Sequence, residues 1–469
     1  MSLFSGDREN LIICAVSTPP GFGGISVIRI SGEGCFLLVR KSAQLLPEAP
    51  VSHHAYLAFF NSILDNSKID QCLFTYFSKG KSFTGEETVE ISCHGNPTIC
   101  DRILQELIRN GASTALPGEF TFRAFMNGKL DLIQAEAILS LIESRSKRSA
   151  EISLRQLIGG VSQKILSIED KLTWCLAHIE ASIDFSTEGL ETVSPAVLLD
   201  KLNECLEESQ ILLSTYQKGR MIRDGVQIAI LGQPNVGKSS LLNRLLGYER
   251  SIVTDIAGTT RDIVSEEIVY MGQKFVFLDT AGIRKTSDDK VEKIGIQRSF
   301  EAALKADLVL FVFDSTLGLT EIDFEMLSRI KTKVILIGNK SDLLPSSSLA
   351  DSKLKIVHSD HKFSDQEVLF CSTFDTSSPE LVLQLVYENL IGEVQTGHEA
   401  LLSNSRHFEG LSVAANKIAD SLKSLKSGMG PELVSLDLKE ALMCLQLILG
   451  KHFDDQIMDR VFKEFCIGK

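Results

Sequence analysis

The sequence predicts a multidomain α/β protein. It has an N-terminal α+β domain, a helical bundle interrupted in sequence, and an inserted domain built on a doubly wound, mostly parallel sheet. Three observations carry this prediction. Apolar residues recur at helical steps of three and four on both sides of a central region. Within that centre, short apolar strand-like runs alternate with helical segments, the rhythm of parallel βαβ units. The 469 residues exceed one ordinary core and suit about three domains, on a prior of roughly 100–200 residues each.

Residues 1–127 mix short β-rich runs, Ile25 to Ile30 and Thr88 to Ser92, with an amphipathic helix around Cys100 to Arg109, an α+β pattern. Residues 128–223 form the first helical part. From Leu132 the period is helical, and Leu154, Leu157, Val161, Ile165, Ile168, Leu172, Leu176, Ile179 and Ile183 trace one stripe. That stripe predicts a single long helix packed against others, with Gly159-Gly160 as a candidate kink, because each glycine costs up to about 1 kcal/mol relative to alanine. Residues 224–387 carry the strand-like runs Val226 to Leu231, Phe275 to Leu278, Leu308 to Phe313, Val334 to Gly338 and Val368 to Cys371, with a polar loop from Pro345 to Lys355. Residues 388–469 return to the helical period through Phe408, Leu411, Ala415, Ile418, Leu422 and Leu425, then Leu438, Leu442, Leu445 and Leu449. The two separated helical stretches are expected to pack into one bundle.

Composition narrows the function classes. A hydrophobic content of 44% with 23% charged residues is that of a globular chain. No apolar run approaches the roughly 18 residues a membrane span needs, and residues 1–10 are too polar for a signal peptide, so a cytoplasmic protein is expected. The ten cysteines include no C-x-x-C pair, which argues against a zinc site and a disulfide framework and predicts buried apolar thiols. A net charge of −13 exerts no global attraction on nucleic acid, so an RNA substrate would need a local basic patch.

The chemistry is carried by motifs in the inserted domain. Gly232-Gln233-Pro234-Asn235-Val236-Gly237-Lys238-Ser239 fits G-x-x-x-x-G-K-[ST] and lies between a strand-like run and a helix. Its glycines let successive N–H groups face phosphate oxygens, Lys238 supplies a point charge, and Ser239 offers a hydroxyl to Mg²⁺. The following helix turns its N-terminal dipole toward the phosphates. Gly258-Thr259-Thr260-Arg261-Asp262 comes next, where a threonine hydroxyl completes Mg²⁺ coordination only when a γ-phosphate is present. Asp279-Thr280-Ala281-Gly282 ends a strand, with Asp279 near the metal shell and the Gly282 N–H near the γ-phosphate. Asn339-Lys340-Ser341-Asp342 follows another strand: Asp342 can accept from the N1–H and 2-amino group of guanine, a pair adenine lacks, while Asn339 reaches the ring edge. Ser372-Thr373 would support the base through backbone groups. The order of these elements predicts a Ras-like P-loop GTPase domain acting on GTP. Ile283 stands where a water-orienting glutamine would otherwise follow, so hydrolysis needs another group. Glu292 is a candidate, as is its alternative role as a solvated charge at a helix start. A monovalent cation held by the Asn235 carboxamide could supply the missing positive charge, although Asn235 also suits a plain turn.

These residues, with Thr18-Pro19-Pro20-Gly21-Phe22-Gly23-Gly24, Arg29-Ile30-Ser31-Gly32, Ser82-Phe83-Thr84-Gly85-Glu86, Pro117-Gly118-Glu119-Phe120, Asn127-Gly128-Lys129-Leu130-Asp131, Gln134-Ala135-Glu136-Ala137 and the terminal Phe465-Cys466-Ile467-Gly468-Lys469, resemble the MnmE (TrmE) family of tRNA modification GTPases. The resemblance covers essentially the whole chain. It implies a homodimer joined through N-terminal domains, a helical domain interrupted by the G domain, and a heterotetramer with the FAD-dependent partner MnmG (GidA). Together these install an aminomethyl or carboxymethylaminomethyl group at C5 of the wobble uridine, position 34, of certain tRNAs. The one-carbon unit comes from a tetrahydrofolate, in its 5-formyl or methylene form, bound by the N-terminal domain.

By the same resemblance, Arg29, Glu90, Lys129 and Lys469 contact the folate, where a carboxylate suits the donor edge of the pterin and cations suit the glutamate tail. K⁺ is implied at Asn235, Thr254, Ile256 and Thr259, and Mg²⁺ at Ser239 and Thr260. Glu292 and Lys238 are implied as catalytic, with activation by G-domain dimerisation. GTP contacts are expected from Asn235, Val236, Gly237, Lys238, Ser239, Ser240, Thr254, Asp255, Ile256, Ala257, Gly258, Thr259, Thr260, Asp279, Thr280, Ala281, Gly282, Asn339, Lys340, Asp342, Ser372 and Thr373. Cys466 is a candidate for the modification chemistry, with a buried helix-end thiol as its alternative. Phe22 occupies a slot where the family often has arginine, and Cys371-Ser372-Thr373 replaces a more usual Ser-Ala pattern. The competing reading of the whole chain is an RNA-binding assembly or ribosome-maturation GTPase with no share in covalent tRNA chemistry.

Overall fold

A computed structural model describes residues 8, 10–184, 193–248, 266–278, 300–344, 368–392, 400–452, 455–465 and 468. The chain divides into two compact units, Met1–Leu139 with Leu154–Gln210 and Glu409–Lys469, and Ser140–Ser153 with Ile211–Phe408.

The first unit opens on a six-stranded sheet of β1 (Ile13–Val16), β2 (Gly23–Ser31), β3 (His54–Asn61), β4 (Lys68–Phe77), β5 (Thr88–Gly95) and β6 (Ser113–Thr114), in the order β3-β4-β5-β2-β1-β6. Alternation along β5, with Val89, Ile91 and Cys93 buried, faces the core formed with α1 (Cys35–Arg40) and α2 (Pro97–Arg109). Asn96 caps α2 through its side chain, which accepts from Thr98 N.

The long apolar stripe is two helices rather than one, α5 (Lys147–Leu157) and α6 (Gly160–Asp184). Gly159, at φ +94°, lies in the left-handed region that a helix cannot continue through, so the expected kink is a full break. The C-terminal stretch forms the helices Ser405–Lys426 and Pro431–Leu449. The second of these joins α6 through Glu169, which accepts from Gln446 Nε2 at 3.1 Å and from Lys451 Nζ at 2.5 Å, and through Lys439–Glu180 at 2.7 Å. A further helix, Asp455–Lys463, buries Phe462 against Phe122 and Leu132 of α3 (Glu119–Met126) and α4 (Leu132–Ile142).

The second unit holds the inserted sheet: β7 (Val226–Leu231), β8 (Glu266–Tyr270), β9 (Gln273–Phe277), β10 (Leu308–Asp314), β11 (Val334–Asn339) and β12 (Val368–Phe370), in the order β12-β11-β10-β7-β9-β8. All pairs are parallel except β8·β9. The near-continuous apolar runs of β10 and β11 are buried on both faces, as a covered parallel sheet requires. This unit extends past residues 224–387. Ile152 of α5 and Ile222 of α8 (Tyr216–Asp224), the helix after α7 (Pro195–Ser214), belong to the same apolar cluster as Val226 and Phe275, and Arg148 N donates to Gly272 O at the β8–β9 turn.

The described cysteines are free and buried, except for half-buried Cys444. Burial pushes the Cys14 and Cys371 thiols up to about 12. Among the described residues no cluster could hold a metal through His, Cys, Asp and Glu, and no helix is long and apolar enough to cross a membrane.

Candidate functional site

The phosphate loop leaves the carboxyl end of β7, where the strand order runs outward to β10 on one side and β9 on the other. Such a switch point opens a crevice in a doubly wound sheet. Gly232 and Gly237 are required by space and by backbone angle. Gly232 has φ +141°, and a Cβ there would lie 2.0 Å from Val312 O; Gly237 has φ +100°, and a Cβ there would meet Asn339 Nδ2 at 2.0 Å. Asn235 also takes a left-handed φ of +62° and is exposed, with Val236 buried beside it. α9 (Lys238–Tyr248) starts directly behind the loop, placing Ser239 half-buried and Ser240 exposed in its first turn. Lys238 Nζ donates to Gly232 O at 2.9 Å and to Gln233 O at 2.6 Å, so the ammonium is held against the loop it serves.

The Asn339-Lys340-Ser341-Asp342 motif sits at the end of β11. Asn339 is 1% exposed and acts as a clamp. Its Nδ2 donates to Val236 O at 2.8 Å and its Oδ1 accepts from Thr373 N at 3.3 Å, so one side chain ties the phosphate loop to the loop after β12. Lys340 occupies the left-handed region, and its Nζ meets Asp314 Oδ2 at 2.7 Å. Asp342 lies exposed in the turn Ser341–Leu343, itself anchored by Ser341 N donating to Cys371 O at 3.1 Å. Ser372 N donates to Ser378 Oγ at 3.3 Å. The Ser372 and Thr373 N–H groups are thus both engaged within the protein.

Two residues of this site were missed in the sequence. Arg244 of α9 donates to Thr373 O at 2.8 Å and to Phe374 O at 3.3 Å. Asp314 pairs with Lys340 and accepts from Thr316 N and Oγ1 at 2.9 and 2.7 Å. Burial alone would raise the Asp314 pKa, but Lys340 and Thr316 outweigh it and hold the carboxyl below its ordinary value. An acid closing a buried strand was the available signal for Asp314. Thr254, Asp255, Ile256, Ala257, Gly258, Thr259, Thr260, Asp279, Thr280, Ala281, Gly282, Glu292, Cys466 and Lys469 lie outside the described residues.

In the N-terminal sheet Arg29 and Glu90 are direct cross-strand neighbours, with Arg29 Nη2 2.8 Å from Glu90 Oε1. The Arg29 guanidinium also lies over Phe83 and Phe120, at 5.3 and 5.7 Å from the ring centroids. Lys129 Nζ donates to Gly80 O at 2.9 Å and Asn127 Nδ2 to Thr84 O at 2.8 Å, so the separate motifs converge on one loop. That loop is braced from below. Glu86 accepts from Arg123 and from Ser31 Oγ, and Arg123 also meets buried Glu119. A cation–carboxylate pair beside aromatic faces is a chemically sensible donor set for a flat heterocycle with an anionic tail.

A mostly parallel sheet with a phosphate loop at its switch point and an Asn-Lys-Ser-Asp turn beside it defines a P-loop GTPase. Comparison with known proteins sharpens the class: the chain belongs to the MnmE (TrmE) family. The family model described as the MnmE helical domain matches residues 132–466, and that described as the GTP-binding protein TrmE N-terminus matches residues 12–129. The tRNA modification GTPase MnmE of Bdellovibrio bacteriovorus is 47% identical over 100% of this chain and 99% of its own length. That of Caldicellulosiruptor saccharolyticus is 40% identical over 97% and 99%. Among solved structures, Era in complex with MgGDPNP and nucleotides 1506-1542 of 16S ribosomal RNA is similar at a TM-score of 0.28 and 27% identity, covering 41% of this chain and 66% of that one. That likeness is too partial to bear on function.

Proposed function

We propose that this chain hydrolyses GTP to drive modification of tRNA at C5 of the wobble uridine, position 34, adding an aminomethyl or carboxymethylaminomethyl group. The observation that carries this reading is the full-length match to tRNA modification GTPases, combined with a phosphate loop and guanine turn whose residues are clamped to each other by Asn339. In this reading residues 1–127 bind the tetrahydrofolate that donates the one-carbon unit and join two chains into a homodimer. Residues 224–387 turn over GTP, and residues 128–223 and 388–469 present Cys466 and Lys469 near the folate. An FAD-dependent second protein, MnmG, completes the assembly as a heterotetramer in the cytoplasm.

Within the nucleotide site, Ser239 and Thr260 would hold Mg²⁺, and Asn235, Thr254, Ile256 and Thr259 would hold K⁺. The cations supply positive charge to the phosphates. Lys238, presented by two loop carbonyls, neutralises phosphate charge as it develops. Asp342 selects the base, and Glu292 orients the attacking water. In the N-terminal domain Arg29, Glu90 and Lys129 receive the folate. Mass analysis of wobble uridines in tRNA from cells lacking this gene is the test. Loss of the C5 substituent is expected, whereas unchanged modification would favour the ribosome-assembly reading.

A further inference from the structure

We propose that Thr320, through Gln233, is a positioning residue for the catalytic lysine of the nucleotide site, a role that deepens the GTPase reading and rests on it. Gln233 contributes to Lys238 in two ways. Its carbonyl accepts from the lysine ammonium at 2.6 Å, and its side-chain amide Nε2 donates to Thr320 Oγ1 at 2.6 Å. Thr320 caps the helix Glu321–Ser328 in a reciprocal box: Asp323 N donates to Thr320 Oγ1 at 3.4 Å and Thr320 N donates to Asp323 Oδ2 at 2.9 Å.

The chemistry of the hydroxyl gives the arrangement its direction. A threonine hydroxyl has one proton, and here that proton goes to Asp323 Oδ2 at 2.9 Å, a carboxylate in a residue only 2% exposed. A hydroxyl bonded in this way can only accept from Gln233. The glutamine must therefore present its NH₂ and not its carbonyl, which removes the amide flip that would otherwise loosen it. Charge assistance from the buried Asp323 strengthens the chain of hydrogen bonds. Asp323, Thr320 and Gln233 thus form one line from a helix N-terminus to the carbonyl that holds Lys238. The reacting phosphates meet a lysine whose position is set by a helix outside the phosphate-loop motif.

Steady-state GTP hydrolysis by the full chain tests the proposal with Gln233→Met, Thr320→Val, the double variant and Thr320→Ser. Gln233→Met removes the amide while keeping the backbone carbonyl and the helix cap. We expect either single variant to lose about tenfold in kcat/KM for GTP, with the preference for GTP over XTP unchanged. The double variant should fall no further than about the worse single one, because both cut the same line. Thr320→Ser, which keeps the hydroxyl, should stay within about twofold of wild type. Wild-type turnover by Gln233→Met, or losses that multiply in the double variant, would overturn the positioning role. A wild-type chain that turns over no GTP would instead overturn the GTPase reading on which it stands.

Discussion

In the proposed function Asp342 selects the base, because an ionised carboxylate only accepts hydrogen bonds and guanine offers it two N–H donors. Asp342→Asn introduces an NH₂ group that suits the 2-carbonyl of xanthine. GTP affinity should fall by about 30-fold or more and XTP binding should appear, since leaving guanine's two donors unmatched costs about 1–3 kcal/mol each. Equilibrium binding of labelled GTP and XTP measures both. Asn235 carries the cation prediction: replacing KCl with NaCl should slow GTP turnover, and equal rates would remove the cation from the mechanism. Asp314 carries a pH prediction. Its folded-state pKa lies below the ordinary 3.8, so its contribution to stability is fully present above that value and fades as pH falls through the lowered native value. In Asp314→Asn that part of the acid limb should be missing when urea midpoints are compared between about pH 6 and pH 3. Positions tied to a fixed motif spacing were legible in the sequence, among them Lys238 at the start of the helix behind the phosphate loop and Asp342 in the turn after β11. Asn339 was legible as a site residue, but its work as a clamp needs Val236 and Thr373 brought to it from far along the chain.

At the scale of elements, the strands of the inserted sheet were legible because each is an apolar run of the right length between turn residues. β8 was not: Glu266-Glu267-Ile268-Val269-Tyr270 has a half-polar edge-strand pattern that resembles a loop until β9 pairs with it. The phosphate loop is constrained by backbone angle at Gly232, Asn235 and Gly237. Gly237→Ala should abolish nucleotide binding, because the new Cβ would strike Asn339 Nδ2 and the φ of +100° is strained for any side chain. Titration with a fluorescent GTP analogue would show it. α5 belongs partly to the sheet unit. Arg145 pairs with Glu267 at 3.0 Å, Ser149 Oγ donates to Arg223 O at 3.2 Å, and Ile152 is 6% exposed within the sheet's apolar cluster. Ile152→Ala should cost that unit about 2–5 kcal/mol in denaturant unfolding, far more than substitution of a residue in a mere connecting segment.

At the scale of the whole molecule, the two ends of the chain meet in one unit. Phe462 is fully buried among Phe122, Leu132 and Met458, and a Cβ on Gly118 would lie 2.5 Å from Phe462 O. Phe462→Ala should destabilise that unit by about 3–5 kcal/mol while leaving GTP affinity intact, because no residue of the phosphate loop or guanine turn lies in it. Calorimetry paired with nucleotide titration separates the two effects. The sequence by itself determined the class of fold, the GTPase class and the positions of the motifs on which the proposed site rests. Helical and strand periods, glycine positions and motif order are all properties of short spacings, which the chain carries whatever it packs against. Only the tertiary structure decided that residues 140–153 join the sheet unit, that the Leu154–Ile183 stripe breaks at Gly159, and that Asn339, Asp314 and Thr320 bond to Val236, Lys340 and Gln233 of the phosphate loop and the Asn-Lys-Ser-Asp turn. Those outcomes depend on burial and hydrogen bonding between segments far apart in the chain, and no local pattern encodes which distant partner will be met.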